Sequence, residues 1–239
     1  MSEESVLVKH VATTARGNRR FKGVIFDADG TLIDSEVPGM DVLHEQACAA
    51  GLSLSREEAH RRFRGGKMAE IVAWIAAQLP HRSAAFETDF THRVRQRQAE
   101  RFRQALLPMP GAVELLSRLS IPFCIATNGP REKIELTLSL TGLRGFFGER
   151  IFCAYDKGYF KPDPRLFLHA AAEMGVDPGD CAVVEDSLPG IEAGLRAGMP
   201  VFSLHGSEGL PPGSAGRVTC ILGLSDLIPV LCGDASDGE

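Results

Sequence analysis

Asp27 and Asp29 stand two residues apart behind a short apolar run, and Gly30 follows them. Val24, Ile25 and Phe26 have the β-branched and aromatic character of a buried strand, ended by Asp and Gly. A strand placed there delivers both carboxylates at its carboxyl end, where ligands of open α/β sheets sit. Two acids that close repel each other, and a bound divalent cation relieves the repulsion. Mg²⁺ suits the position, because it takes one or two carboxylates and keeps waters or a substrate phosphate for its other ligands. Read alone, Asp29–Gly30 also suits an ordinary turn.

Three more strand ends carry groups of matching chemistry. PFCIAT at 122–127 ends in Thr127–Asn128–Gly129, and CAVV at 181–184 ends in Glu185–Asp186. Lys161 lies in the loop after RIFCAY at 150–155. Each has a plain reading: a turn for Thr127–Asn128, a solvated side chain for Lys161, helix-dipole charges for Glu185–Asp186. In a parallel sheet, however, these ends meet on one rim. The combined set suits a metal and a phosphoryl group, with acids for the metal and Thr127 and Lys161 for the phosphate oxygens.

The elements that must position them alternate strand and helix in the second half of the chain. Val113, Leu116 and Leu119 suit a helix before the 122–127 strand, and Ile134 and Leu138 suit one after it. Asp163 and Pro164 open a helix carrying Leu166, Phe167 and Ala170. Gly190 and Gly194 allow close packing of the helix after Asp186, and Gly198 can cap it. VFSL at 201–204 and VTCIL at 218–222 read as further strands, and Leu224 to Leu231 as a last helix. The alternation predicts an α/β fold, a doubly wound, mostly parallel sheet.

Between the first strand and Pro108 the pattern is helical throughout. Val37, Met40, Leu43, Ala47 and Ala50 recur at helical spacing before Gly51. Ser55 and Glu58 form a capping box. Met68, Ile71, Val72, Ile75 and Leu79 mark another helix, and Phe86, Phe90, Val94 and Phe102 a longer one. We therefore expect a catalytic α/β core from 21–36 and 107–232, an inserted helical domain at 37–106, a loose leader at 1–20 and a disordered tail at 233–239. Arg93, Arg97 and Arg101 form a like-charge stripe, which reads as a solvated face.

Bulk properties exclude several classes. The 239 residues carry a formal charge of −5, which argues against nucleic-acid or membrane-surface binding. The six cysteines include no CxxC pair, so a reducing, cytoplasmic setting is expected rather than a disulfide framework. No stretch is apolar enough to span a bilayer, and no secretory signal is visible. Nothing in the sequence demands more than a monomer.

DADGT at 27–31, the Thr127–Asn128 strand end, KPDP at 161–164 and VVEDSLPGIEAG at 183–194 resemble the four motifs of the haloacid dehalogenase superfamily. DGTLIDSE, the helical insert and the EDS-PGI run are similar to its β-phosphoglucomutase-like phosphatase branch, over about residues 21 to 204. The NGP after Thr127 and CAYDKGYFKPDP most resemble the 6-phosphogluconate phosphatases within it.

The resemblance implies a Rossmann-like core, a helical cap that closes over the rim, and a small phosphorylated metabolite as substrate. It implies that Asp27 is the nucleophile of an aspartyl-phosphate mechanism and Asp29 its general acid and base. It further implies Mg²⁺ held by the Asp27 carboxylate, the Asp29 carbonyl and the Asp186 carboxylate, with Glu185 in support. Thr127, Asn128 and Lys161 would hold the transferring phosphoryl group. Arg64, Gly65, Gly66 and Lys67 match the family's substrate-specificity loop. A phosphosugar mutase is the rival, but this chain has Gly39 and Met68 where those mutases carry His and Arg. A dehalogenase would not need Asp29. A catalytically silent binding protein would not need all four motifs.

Overall fold

A parallel sheet covered on both faces needs strands that are apolar along their whole length, because no face meets water. The central strands of this chain meet that demand up to their carboxyl ends in the computed structural model of the protein, which describes residues 21–64, 66–80 and 83–232; the edge strand Val218–Cys220 is only partly buried. The leader expected at 1–20, the tail at 233–239 and Gly65 lie outside the described residues. By its contacts the chain divides into two units, Met1–Ile33 with Pro108–Glu239, and Asp34–Leu107.

The first unit holds six strands: β1 Gly23–Phe26, β2 Phe123–Thr127, β3 Ile151–Cys153, β4 Cys181–Glu185, β5 Val201–Ser203 and β6 Val218–Cys220. Their order is β3-β2-β1-β4-β5-β6, and every neighbouring pair is parallel. Every residue of β1, β2 and β4 is buried. From β1 the chain builds outward through β2 and β3, then returns to β4 on the other side. β1 and β4 therefore flank the switch point of the sheet, where open α/β folds bind their ligands. The register sets Phe26 beside Val184, so Asp27 and Glu185, the next residue of each strand, leave the sheet side by side.

One face of the sheet packs on Leu166, Phe167, Ala170 and Ala171 of the helix Arg165–Glu173, and on Ile191 of the helix Leu188–Arg196. Gly194 on the latter helix is required by contact: an added Cβ would stand 2.7 Å from Val201 Cγ2. The structure departs from the expected elements at several places, among them the strand expected at 218–222, which ends at Cys220, and the helix expected to open on Asp163, whose N-cap is Pro164. The run at 150–155 stops being a strand at Cys153, and Ala154–Lys157 forms a helical turn instead. The helix Ala112–Arg118 buries Ala112, Leu115 and Leu116, while Val113 is exposed. The last helix begins as a 3₁₀ turn over Leu224–Leu227 before Ile228–Leu231.

The second unit contains the helices Glu36–Ala49, Arg56–Phe63, Met68–Gln78 and Phe86–Ala105. Met40, Leu43, Phe63, Ile71, Ile75, Phe90 and Val94 share its core. The expected capping box forms: Ser55 Oγ accepts from Glu58 N at 3.2 Å, and Glu58 Oε2 accepts from Ser55 N at 2.9 Å. Buried Gln98 donates to the Gly39 carbonyl at 3.0 Å, tying the long helix to the first. The arginine stripe is relieved by acids, with Arg97 on Glu100 and Arg101 on Glu45, each at 2.8 Å. Among the described residues no helix is long and apolar enough to cross a membrane.

Candidate active site

Asp27 continues β1, and its backbone N–H donates to the Val184 carbonyl of β4 at 3.0 Å. That bond fixes its carboxylate at the switch point. Lys161 Nζ reaches it from the loop beyond the Ala154–Lys157 turn, donating to Asp27 Oδ1 at 2.5 Å and to Glu185 Oε1 at 2.7 Å. The side chain of Lys161 is 2% exposed and that of Glu185 is fully buried. The ammonium also lies 4.9 Å from the centre of the Phe167 ring.

Two buried carboxylates thus share one ammonium, and negative charge is in excess. Burial pushes the Asp27 carboxyl up to about 7; Lys161 pulls it down, while Glu185 and then Asp29 push it up. For Lys161, burial opposes the charge, but the carboxylates of Asp27 and Glu185 prevail and hold it above the usual lysine range. The excess negative charge is what a bound cation would neutralise.

Glu185 is saturated with donors. Besides Lys161, its Oε2 accepts from Asp186 N, Ser187 N and Ser187 Oγ, each at 2.9 Å. Gly190 makes the room: a Cβ there would fall 1.7 Å from Glu185 Oε1. Asp186 approaches the β1 loop just as closely. Its Oδ1 accepts from Thr31 Oγ1 at 2.8 Å, and a Cβ on Gly30 (φ 79°) would lie 2.3 Å from its Oδ2. Oxygens of Asp27, Glu185 and Asp186 lie within 4.8 Å of one another, a spacing able to hold a metal ion. These hard oxygen donors fit a divalent cation such as Mg²⁺.

Thr127 Oγ1 accepts from Gly129 N at 3.0 Å, which leaves its own proton to donate elsewhere. The Asn128 amide is committed to the Lys161 backbone: Oδ1 accepts from Lys161 N at 2.9 Å, and Nδ2 donates to Lys161 O at 3.4 Å. Asp29 points its Oδ2 at Lys133 Nζ, 2.7 Å away. Arg64 and Lys67 belong to the helical unit, where Arg64 pairs with Glu36 at 3.1 Å and Lys67 with Glu70 at 3.7 Å.

Comparison with known proteins decides the family. The model of the haloacid dehalogenase-like hydrolases matches residues 21–198. The chain belongs to that family. A curated relative, the 6-phosphogluconate phosphatase of Escherichia coli K12, is 35% identical over 208 residues, covering 87% of this chain and 93% of its own. A haloacid dehalogenase-like protein of unknown function from Agrobacterium tumefaciens is 32% identical with a TM-score of 0.72, covering 88% of this chain and 97% of its own. A family hydrolase from Deinococcus radiodurans, solved with bound phosphate and sodium, is 29% identical with a TM-score of 0.68, covering 90% and 96%. The chain is an enzyme of the phosphatase type.

Two side chains that touch the acids of this haloacid dehalogenase-like hydrolase go unassigned when the sequence is read alone. Ser187, whose N–H and Oγ both donate to Glu185 Oε2, lies inside the VVEDSLPGIEAG motif, which gives it no task. Lys133 has no such signal, since a lysine in the first turn of a helix reads as solvated until β2 is known to lie beside β1.

Proposed function

We propose that the chain is a Mg²⁺-dependent phosphatase of a small phosphorylated sugar or sugar acid, with 6-phosphogluconate its best-supported substrate. Support for the substrate comes from the Escherichia coli relative, and support for phosphate chemistry from the phosphate bound by the Deinococcus one. The observation that carries the reading is the buried Lys161 bridging Asp27 and Glu185 at the switch point, with Asp186 in ligand range.

Asp27 attacks phosphorus; its carboxylate oxygen forms the new P–O bond while the bond to the leaving oxygen breaks. Asp29 gives that oxygen its proton. It then takes one from a water, which attacks the aspartyl phosphate, releases inorganic phosphate and restores Asp27. A carboxylate meets a phosphate dianion only where cations offset the repulsion. Lys161 supplies one. Thr127 donates its hydroxyl proton to a phosphoryl oxygen, and Asn128 fixes the Lys161 loop. Mg²⁺, held by the Asp27 carboxylate, the Asp29 carbonyl and the Asp186 carboxylate, would neutralise the remaining phosphoryl charge when bound. Glu185 holds Lys161 in place. We assign the choice of an anionic substrate to Arg64 and Lys67, whose side chains are 57% and 50% exposed.

The test is phosphate release from 6-phosphogluconate and from glucose 6-phosphate in Mg²⁺. Wild type should prefer the acid, Arg64→Ala should weaken that preference, and Asp27→Asn should abolish turnover with the fold retained. An active Asp27→Asn enzyme would refute the nucleophile.

A further inference from the structure

Each acid of the first motif has a lysine of its own. Lys161 serves Asp27 from the buried side. Lys133, on the first turn of the helix Arg131–Leu140, serves Asp29, with Nζ 2.7 Å from Oδ2. The surroundings of that oxygen are shaped for the pair. Gly129, four residues before Lys133, leaves space beside it: a Cβ there would stand 3.4 Å from Asp29 Oδ2 and 2.9 Å from Ile134 Cδ1. Thr127 Oγ1 accepts from Gly129 N, which sets the turn that carries the chain from β2 into this helix. The side chains of Lys133 and Asp29 are 29% and 26% exposed, so the pair stands at the rim and not in the core.

We propose that Lys133 is a positioning residue for Asp29, a role that rests on Asp29 being the general acid. An ammonium has three donors and no acceptor. The oxygen that faces it is held as the more anionic acceptor, so the carboxyl proton is favoured on Oδ1. Lys133 thus decides which oxygen of Asp29 is offered to the leaving group, and holds it there. It makes no contact with the phosphoryl group in this role, so substrate binding does not depend on it.

Leaving-group chemistry tests this in the full-length protein with Mg²⁺. Under excess enzyme, release of the alcohol or phenol reports the first half-reaction alone. A nitrophenolate leaves without help, whereas a benzyl alkoxide needs the acid. Lys133→Met should slow release from benzyl phosphate by about tenfold or more, a share of the usual general-acid contribution. It should slow release from 4-nitrophenyl phosphate by less than about threefold, with apparent substrate affinity unchanged and Lys133→Arg restoring most of the loss. Equal slowing of both substrates, or no slowing, overturns the proposal. Lys133→Gln repeats the measurement should Lys133→Met fold poorly. Asp29→Ala separates the two failures: if it too slows both substrates equally, the assignment of Asp29 as acid fails; if it discriminates and the lysine variants do not, the role of Lys133 alone fails.

Discussion

The α/β unit and the helical unit both pair acids with bases, at different depths. At the sheet switch point Lys161, 2% exposed, lies between Asp27 and Glu185. In the helical unit Asp41 pairs with Arg56 at 2.6 Å and with His60 at 2.8 Å, and the Arg56 side chain is 53% exposed. Exposed pairs of the second kind contribute about 0–1 kcal/mol and are readily exchanged. Buried groups of the first kind lose several kcal/mol of hydration per ion, and apolar residues in their place would often be no less stable. Stability does not account for three ionisable groups gathered and buried at the switch point of the sheet. Phosphoryl chemistry does, because a pre-arranged cation acts most strongly where water is excluded.

Removing the shared cation tests that contrast most severely. Lys161→Met leaves Asp27 and Glu185 facing each other without a counter-charge. Breaking a buried pair from one side costs about 3–5 kcal/mol, and we expect a loss of that size in chemical denaturation, together with turnover below detection. A variant that stayed active, or lost less than about 1 kcal/mol, would place the site with exposed pairs of the helical kind.

Gly190→Ala acts on the same cluster without removing a charge. Its Cβ would fall 1.7 Å from Glu185 Oε1, so the carboxylate must shift away from Lys161, Ser187 or both. Overpacking of this sort costs about 1–3 kcal/mol. The phosphatase rate should fall more steeply than the stability alone explains, because Lys161 loses one of its two anchors. Unchanged kcat with the expected destabilisation would show that Glu185 packs the helix and does not hold the lysine.

The sequence displays the two regions unevenly, for the same reason that they differ. Strand ends are readable when the strand is a buried apolar run, which is why Asp27, Thr127 and Glu185 fall where the pattern puts them. The capping box at Ser55 and Glu58 is equally legible, since both partners lie within four residues. Contacts made across the sheet are not. Lys133 meets Asp29 from 104 residues away, and Asn128 spends its amide on Lys161 because β2 and the 158–164 loop are adjacent in space. The strand expected at 150–155 ends early for a local reason. Ala154 and Tyr155 suit a strand as readily as the residues before them, yet the backbone turns at Ala154 and leaves Tyr155 half-exposed. Along Ala112–Arg118 the choice between Val113 and Leu115 depends on which side its neighbours lie, the turn Leu224–Leu227 among them, which periodicity alone does not say.

The smallest effect belongs to the exposed pairs, and it has a pH signature. The Arg56 hydrogen bond holds the Asp41 carboxyl below its ordinary value; partial burial opposes this, and the His60 hydrogen bond adds to it. A depressed acid binds its proton more weakly in the folded state than in the unfolded one. Its stabilisation is therefore complete above the unfolded carboxylate value of about 3.9 and is lost as pH falls through the lower folded value. Asp41→Asn should cost less than about 1 kcal/mol near pH 7, discounted for the exposure of its partner. The gap between wild type and variant should close below about pH 4, measured by denaturant titration at several pH values. A gap that persisted into acid would mean that Asp41 holds the two helices by its shape and not by its charge.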